Sequence, residues 1–281
     1  MMSALVYGKG FDLSKELEKT VEQLAEYHFE GISRLQLFRC YQSGFNDKLY
    51  FDQPDMEYLA GKADFETNVK LISEAILKAA RFLHKELGVP DYRLLPYNLQ
   101  LIFLTMFFRE IPNPSVSQKE DLKRWFWVTS YSAYFTVYSM SFQRKAYSQW
   151  LEYAHRGGEI LYLDENQKSL KAAPFPKSLS RLGVRNKVLV LFMMLYARDR
   201  GVDFSRGYLL KRLDDKGEKV SENMCVVPMD SSCHSLDFLL DNKEAFFIPV
   251  GEDGRGDLML RKDVLQKAER AFVERLGIQY D

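Results

Sequence analysis

The chain has 281 residues, with 39 Lys and Arg against 39 Asp and Glu, so its formal net charge is zero. At 46% hydrophobic and 28% charged it is an ordinary globular chain, long enough for one or two domains and a substantial core. This excludes a disordered tail, a collagen-like fibre, a disulfide miniprotein and a globally basic nucleic-acid binder, but leaves room for a local basic patch.

Three cysteines, Cys40, Cys225 and Cys233, read as reduced thiols and point to the cytoplasm. The start, MMSALVYGKGFDLSKELEK, lacks the long apolar run of a signal peptide. Leu94–Phe108 and Val188–Ala197 are the most apolar stretches and are too short to span a bilayer, so no membrane partner is expected.

In chain order, Phe11–Phe29 reads as a helix capped by Asp12 or Ser14, with Leu13, Leu17, Val21, Leu24 and His28 at helical spacing. Ile32, Leu35, Phe38 and Cys40 suggest a short second helix, and Gly44–Gly61 a loop. A long helix starts at Asp64 or Thr67 and runs to Leu87, striped by Val69, Ile72, Ile76, Ala79, Ala80 and Leu83 and stopped by Gly88 and Pro90. Pro96 marks the start of Tyr97–Phe108, which is apolar almost all round and therefore central. Ser117 and Glu120 match a capping box ahead of a helix over Asp121–Thr129. A further helix runs from Tyr138 or Ser141 to His155 and breaks at Gly157-Gly158; Ile160–Leu163 reads as a short strand. Pro174–Gly183 is the expected domain boundary. Arg185–Arg200 is a strongly apolar helix capped by Gly201. Beyond it, Met224–Pro228 and Ala245–Val250 read as extended, Gly251–Asp257 as a loop and Arg261–Leu276 as a closing amphipathic helix. The expected fold is mainly α, a multi-helix bundle over 1–173, with an irregular third over 184–281 containing a few short strands.

Charge is uneven along the chain. Residues 65–184 carry 16 basic and 11 acidic side chains, and Lys123–Gln149 contains no carboxylate. That stretch sets Lys123, Arg124, Arg144 and Lys145 among Trp125, Phe126, Trp127, Tyr131, Tyr134, Phe135, Tyr138, Phe142 and Tyr147. Basic residues interleaved with aromatics can neutralise phosphates and stack on bases. The same pattern also describes an aromatic core with a solvated charged rim.

Other chemistry is absent from the sequence. No Walker loop, dinucleotide fingerprint, H-E-x-x-H or G-x-S-x-G string occurs. Gly8-Lys9-Gly10 is too short to signify, and Asp214-Asp215 reads as a polar turn. His28 and His84 lie on helical patterns, with a structural role as the default, and His155 suits a helix C-terminus. Cys225, Cys233 and His234 lack an evident fourth ligand, so no metal or other cofactor is expected and no catalytic residue is assigned.

At Leu94–Ser141 the strings LPYNLQLIFLTMFFR and LKRWFWVTSYSAYFTVYS resemble the helical half of GmrSD-type restriction proteins. The motif residues are Pro96, Trp125, Phe126, Trp127, Thr129 and Ser130, mainly structural in this reading. Phe29–Arg34, Arg185–Gly207 and Lys267–Ile278 are similar to further parts of that family. The D-G-Q-Q-R-type motif of the family's ParB/sulfiredoxin-like N-terminal domain is missing, and SALVYGKGFDLSKEL reads as the middle of a longer family member, a fragment or truncated paralogue. In the segment corresponding to the HNH nuclease the His pair is gone, leaving Asn223, His234 and Asn242. The resemblance implies a non-catalytic helical module in DNA restriction and phage defence. It would contact DNA, or dock on a nucleotide-associated N-terminal domain or partner subunit, through Lys123, Arg124, Arg144 and Lys145. The alternatives are a divergent metal-dependent HNH-like nuclease and a purely structural assembly module.

Overall fold

The computed structural model describes residues 11–45, 48–54, 56–136, 139–160, 162, 170–179, 183–213, 223–249 and 258–280. Over these the fold is mainly α: ten α-helices and one two-stranded antiparallel sheet. None of the described helices is long and apolar enough to cross a membrane. The chain divides into two compact units, one comprising 1–126 and 134–168, the other 127–133 and 169–281.

In the first unit, α1 (Leu13–Leu24) is capped by Asp12, whose carboxylate accepts from the Ser14 and Lys15 N–H groups at 3.0 and 3.3 Å. Its buried stripe is Leu13, Leu17, Thr20 and Leu24; Thr20 takes the place expected for Val21. Its hydroxyl meets the Tyr41 hydroxyl at 2.8 Å, and Tyr41 meets Ser73 at 2.7 Å, so three buried hydroxyls satisfy one another. His28 does not continue the stripe. It reverses the chain in the left-handed region after a 3₁₀ turn over Ala25–Tyr27.

Helix α2 (Arg34–Gly44) extends to a glycine that the sequence assigned to a loop. Gly44 packs on Ile72, where an added Cβ would lie 2.5 Å from Ile72 Cγ1. The loop expected over 44–61 also holds a 3₁₀ turn, Tyr50–Asp52, and the short helix α3, Met56–Ala60. Helix α4 (Phe65–Arg81) buries the expected stripe and passes into a π-helical turn, Phe82–Glu86, before Gly88 at φ +68°.

Helix α5 (Asn98–Glu110) buries every residue from Gln100 to Phe108. Helix α6 (Val116–Tyr131) starts earlier than expected. Ser115 and Gln118 form its box, with Gln118 N–H donating to Ser115 Oγ at 3.2 Å and Ser115 N–H to Gln118 Oε1 at 2.9 Å. Two overlapping S-x-x-[EQ] strings occur here, and the helix takes the one nearer Pro114, leaving Ser117 and Glu120 inside the helix. Helix α7 (Met140–Arg156) is capped by Ser139 and ends at Gly157, φ +72°.

In the second unit, α8 (Val184–Arg198) buries Val188–Met194 and closes at Gly201, φ +87°. Strand β1 (Tyr208–Arg212) pairs with β2 (Met224–Pro228), Tyr208 opposite Pro228 and Arg212 opposite Met224. β1 escaped the sequence reading because YLLKR carries no period-two alternation; β2 is buried along its whole length. Helices α9 (Leu236–Asp241) and α10 (Leu258–Arg275) follow. Ala245–Phe247 is a turn, not the expected extended piece: Ile248 N–H donates to Lys243 O at 2.8 Å, with Phe247 left-handed at φ +58°.

Ile160 and Tyr162 are in no strand, and Leu161, Leu163 and Val250 lie outside the described residues. So do Gly8-Lys9-Gly10, Tyr138, residues 180–182, Asp214-Asp215 and Gly251–Asp257.

Candidate nucleic-acid interface

The aromatics of the carboxylate-free stretch are core. Trp125, Phe126, Trp127, Tyr131, Tyr134, Phe135, Phe142 and Tyr147 are all buried. In the first unit Phe103 gathers Trp125, Phe135, Tyr147 and Trp150 at centroid distances of 5.1–5.8 Å, and Trp150 Nε1–H donates to the Phe103 carbonyl at 2.8 Å. In the second, Trp127 meets Phe272 edge-on at 5.1 Å. Pro96, Thr129 and Ser130 are buried as well. None of these rings is placed to stack on a base.

The cations have different surroundings. Lys123 Nζ lies 3.1 Å from Glu86 and 3.0 Å from Glu120, and Lys119 lies 3.4 Å from Glu86. Burial pulls the Lys123 ammonium down, but its bonds to Glu120 and Glu86 outweigh that and raise its pKa; the bond from Lys123 holds Glu86 below the usual carboxylate range. Arg124 is exposed, and its charge acts on the Tyr162 phenol. Arg144 forms a fork on Asp52, with Nε and Nη2 at 2.6 and 2.7 Å from the two carboxylate oxygens, and covers the Phe51 ring at 5.2 Å. The Arg144 bonds hold the Asp52 carboxyl below its usual range. Lys145 is exposed and makes no ion pair among the described residues.

Arg144 and Asp52 line a cavity of ≈ 430 Å³ with Lys48, Leu49, Tyr147 and Ser148. Lys48 comes from the segment before the 3₁₀ turn, Asp52 from that turn, and the other polar residues from α7. The site therefore takes Arg144 from the four expected cations and adds Lys48, Asp52 and Ser148, which sequence reasoning did not nominate; Lys145 follows Arg144 on α7 but does not line the cavity. The Arg144–Asp52 pairing joins positions 92 apart, and no local pattern signals it. Lys123 and Arg124 lie on α6 and line no part of this cavity.

The residues of the expected nuclease segment are engaged with backbone. His234 Nε2 lies 3.0 Å from the Pro228 carbonyl, and Asn242 Nδ2 donates to Phe238 O at 2.9 Å. Asn223 leads into β2 and its carbonyl accepts from Leu213 N–H at 2.9 Å. Cys40, Cys225 and Cys233 are free thiols, and burial pushes Cys40 up to about 12 and Cys225 up to about 11. No cluster of three or more His, Cys, Asp or Glu side chains suited to a metal occurs among the described residues.

The second unit holds a buried ionic network. Glu269 is fully buried; Arg185 donates to both its oxygens at 2.9 and 2.6 Å, and the Tyr131 and Tyr280 hydroxyls donate at 3.1 and 2.6 Å. Arg185 Nε also donates to Ala173 O at 3.0 Å. With four donors on one carboxylate the group is satisfied, and the arrangement ties the C-terminal residues to α8 and α10. The geometry is that of a structural lock.

No family model, curated protein or solved structure matches this chain.

Proposed function

We propose that this chain is a non-catalytic helical module of a GmrSD-like restriction or phage-defence protein, acting in the cytoplasm, and that it contacts DNA phosphate at the cavity lined by Arg144. The observation that supports this reading is the cavity itself. Lys48 and Arg144 place two cations against one carboxylate, Asp52. A planar guanidinium already held in a two-pronged bond to a carboxylate has the orientation that phosphate requires, so phosphate would replace Asp52 as its partner. The buried aromatics act as the scaffold that presents α7, and of the four candidate cations Arg144 is the one that lines the cavity.

Retention on duplex DNA tests the assignment. Binding by the wild-type chain should weaken as salt rises, because phosphate contacts release counterions. Arg144→Ala with Lys48→Ala should lower affinity about tenfold or more and flatten the salt slope by roughly two. Lys123→Ala, already paired with Glu86 and Glu120, should change little. No binding at low salt, or equal loss in both variants, would overturn the cavity reading and favour docking on a nucleotide-handling partner.

A further inference from the structure

A second feature of the first unit stands apart from that cavity and does not rest on the proposed function. His28 and His84, on different elements, face each other edge to face with ring centroids 5.7 Å apart. We propose that they form a two-imidazole site for a divalent transition-metal cation of the zinc class, with water completing the coordination.

The distance fits. Metal–nitrogen bonds of about 2.1 Å at a tetrahedral angle put the centroids of two imidazoles on one ion roughly 5 Å apart. The observed separation lies within about an ångström of that, and His28 is exposed while His84 is half-buried, so an ion can reach both.

The backbone holds each ring by an uncommon device. After α1, Phe29 N–H donates to Leu24 O at 3.0 Å and His28 N–H to Ala25 O at 3.1 Å, the paired bonds of a left-handed helix stop. Glycine usually occupies that position, as Gly201 does after α8 and Gly277 after α10. Here a histidine sits at φ +59°. Leu24 and Phe29, both fully buried, fix the reversal from beneath. His84 lies in the π-helical turn Phe82–Glu86, and such turns recur at functional sites. The segment after it anchors both residues: Val89 O lies 3.2 Å from His84 Nδ1, and Tyr92 N–H donates to His28 O at 3.2 Å.

A backbone carbonyl on Nδ1 is the partner that metal-ligating histidines use to fix their tautomer, leaving the Nε2 lone pair for the ion. Around the pair lie Tyr27, whose ring is 6.2 Å from His84, with Glu26, Arg81 and Lys85 contributing charge nearby. The sequence reading gave both histidines a structural default because each lies on a helical pattern.

Calorimetric titration of the tag-free 281-residue chain with zinc chloride tests the proposal. One equivalent should bind with micromolar affinity. His28→Asn, which tolerates the left-handed region, and His84→Gln should each weaken binding at least tenfold, while circular dichroism stays unchanged. His155→Gln should leave the titration as it is. Absence of binding, or binding that survives both substitutions or falls equally in His155→Gln, would overturn it. If either variant misfolds, the EPR spectrum of the wild-type chain with one equivalent of copper(II) decides: two imidazole nitrogens support the site, and none or one contradicts it.

Discussion

Two clusters, one in each unit, are built on different physics. Around Phe103 the first unit packs Trp125, Phe135, Tyr147 and Trp150, and the main polar obligation, the Trp150 N–H, is met by the Phe103 carbonyl. Around Glu269 the second unit buries a carboxylate and meets it with a guanidinium and two phenols. The aromatic cluster is stabilised by removing apolar area from water. The ionic cluster must first offset the cost of dehydrating two charges, so its contribution is geometric: it specifies which segments meet.

The largest effects should separate these two kinds of cluster. Phe103→Ala should cost about 3–5 kcal/mol from lost contacts and a cavity. Arg185→Ala should cost about as much, because it strands the buried Glu269 charge. Removing both charges together, as Arg185→Met with Glu269→Leu, should recover most of that loss. No partner substitution should rescue Phe103→Ala. Denaturant unfolding of the three variants checks this, and failure of the double variant to recover would mean that the network stabilises outright.

A smaller effect should appear at alkaline pH. Burial, together with the Glu269 charge, holds the Tyr131 and Tyr280 phenols above their usual pKa. A raised folded-state pKa contributes stability that is complete below the unfolded value, near 10, and is lost as pH rises above it. Tyr280→Phe should cost about 1–2 kcal/mol at neutral pH, through the lost bond to a charged acceptor, and should reduce the loss of stability above about pH 10. Melting curves at pH 7–11 read both. The smallest effect concerns the start of α6: Ser115→Ala should cost about 1 kcal/mol and Ser117→Ala close to nothing, reversing the order the sequence pattern gave.

These contrasts also explain what the sequence disclosed. Periodicity carried the longer α-helices, though not the short α3 and α9, because each buried stripe, such as Val69, Ile72, Ile76 and Ala79, is written within one segment. Gly88, Gly157 and Gly201 marked their ends for the same local reason. Strand β1 was missed because its order comes from its partner, Met224–Pro228, and not from its own side chains. The turn at Ala245–Phe247 was misread because three buried apolar residues in a row look the same in a strand and in a closed turn. The candidate cations were legible as a run without carboxylates. Which of them are neutralised was not, because Glu86 and Asp52 arrive from distant segments. The Lys48 side of the cavity and the His28–His84 pair were hidden in the same way.

The proposed DNA contact turns on Asp52 acting as a placeholder for phosphate on Arg144. The most direct measurement is therefore the duplex affinity of Asp52→Asn at fixed moderate salt, beside the wild-type chain. Removing the carboxylate releases Arg144 and raises the local charge by one, so binding should tighten several-fold and show a steeper salt dependence. Affinity that is unchanged or weaker in Asp52→Asn would contradict the account and leave the Arg144–Asp52 pair as a surface staple.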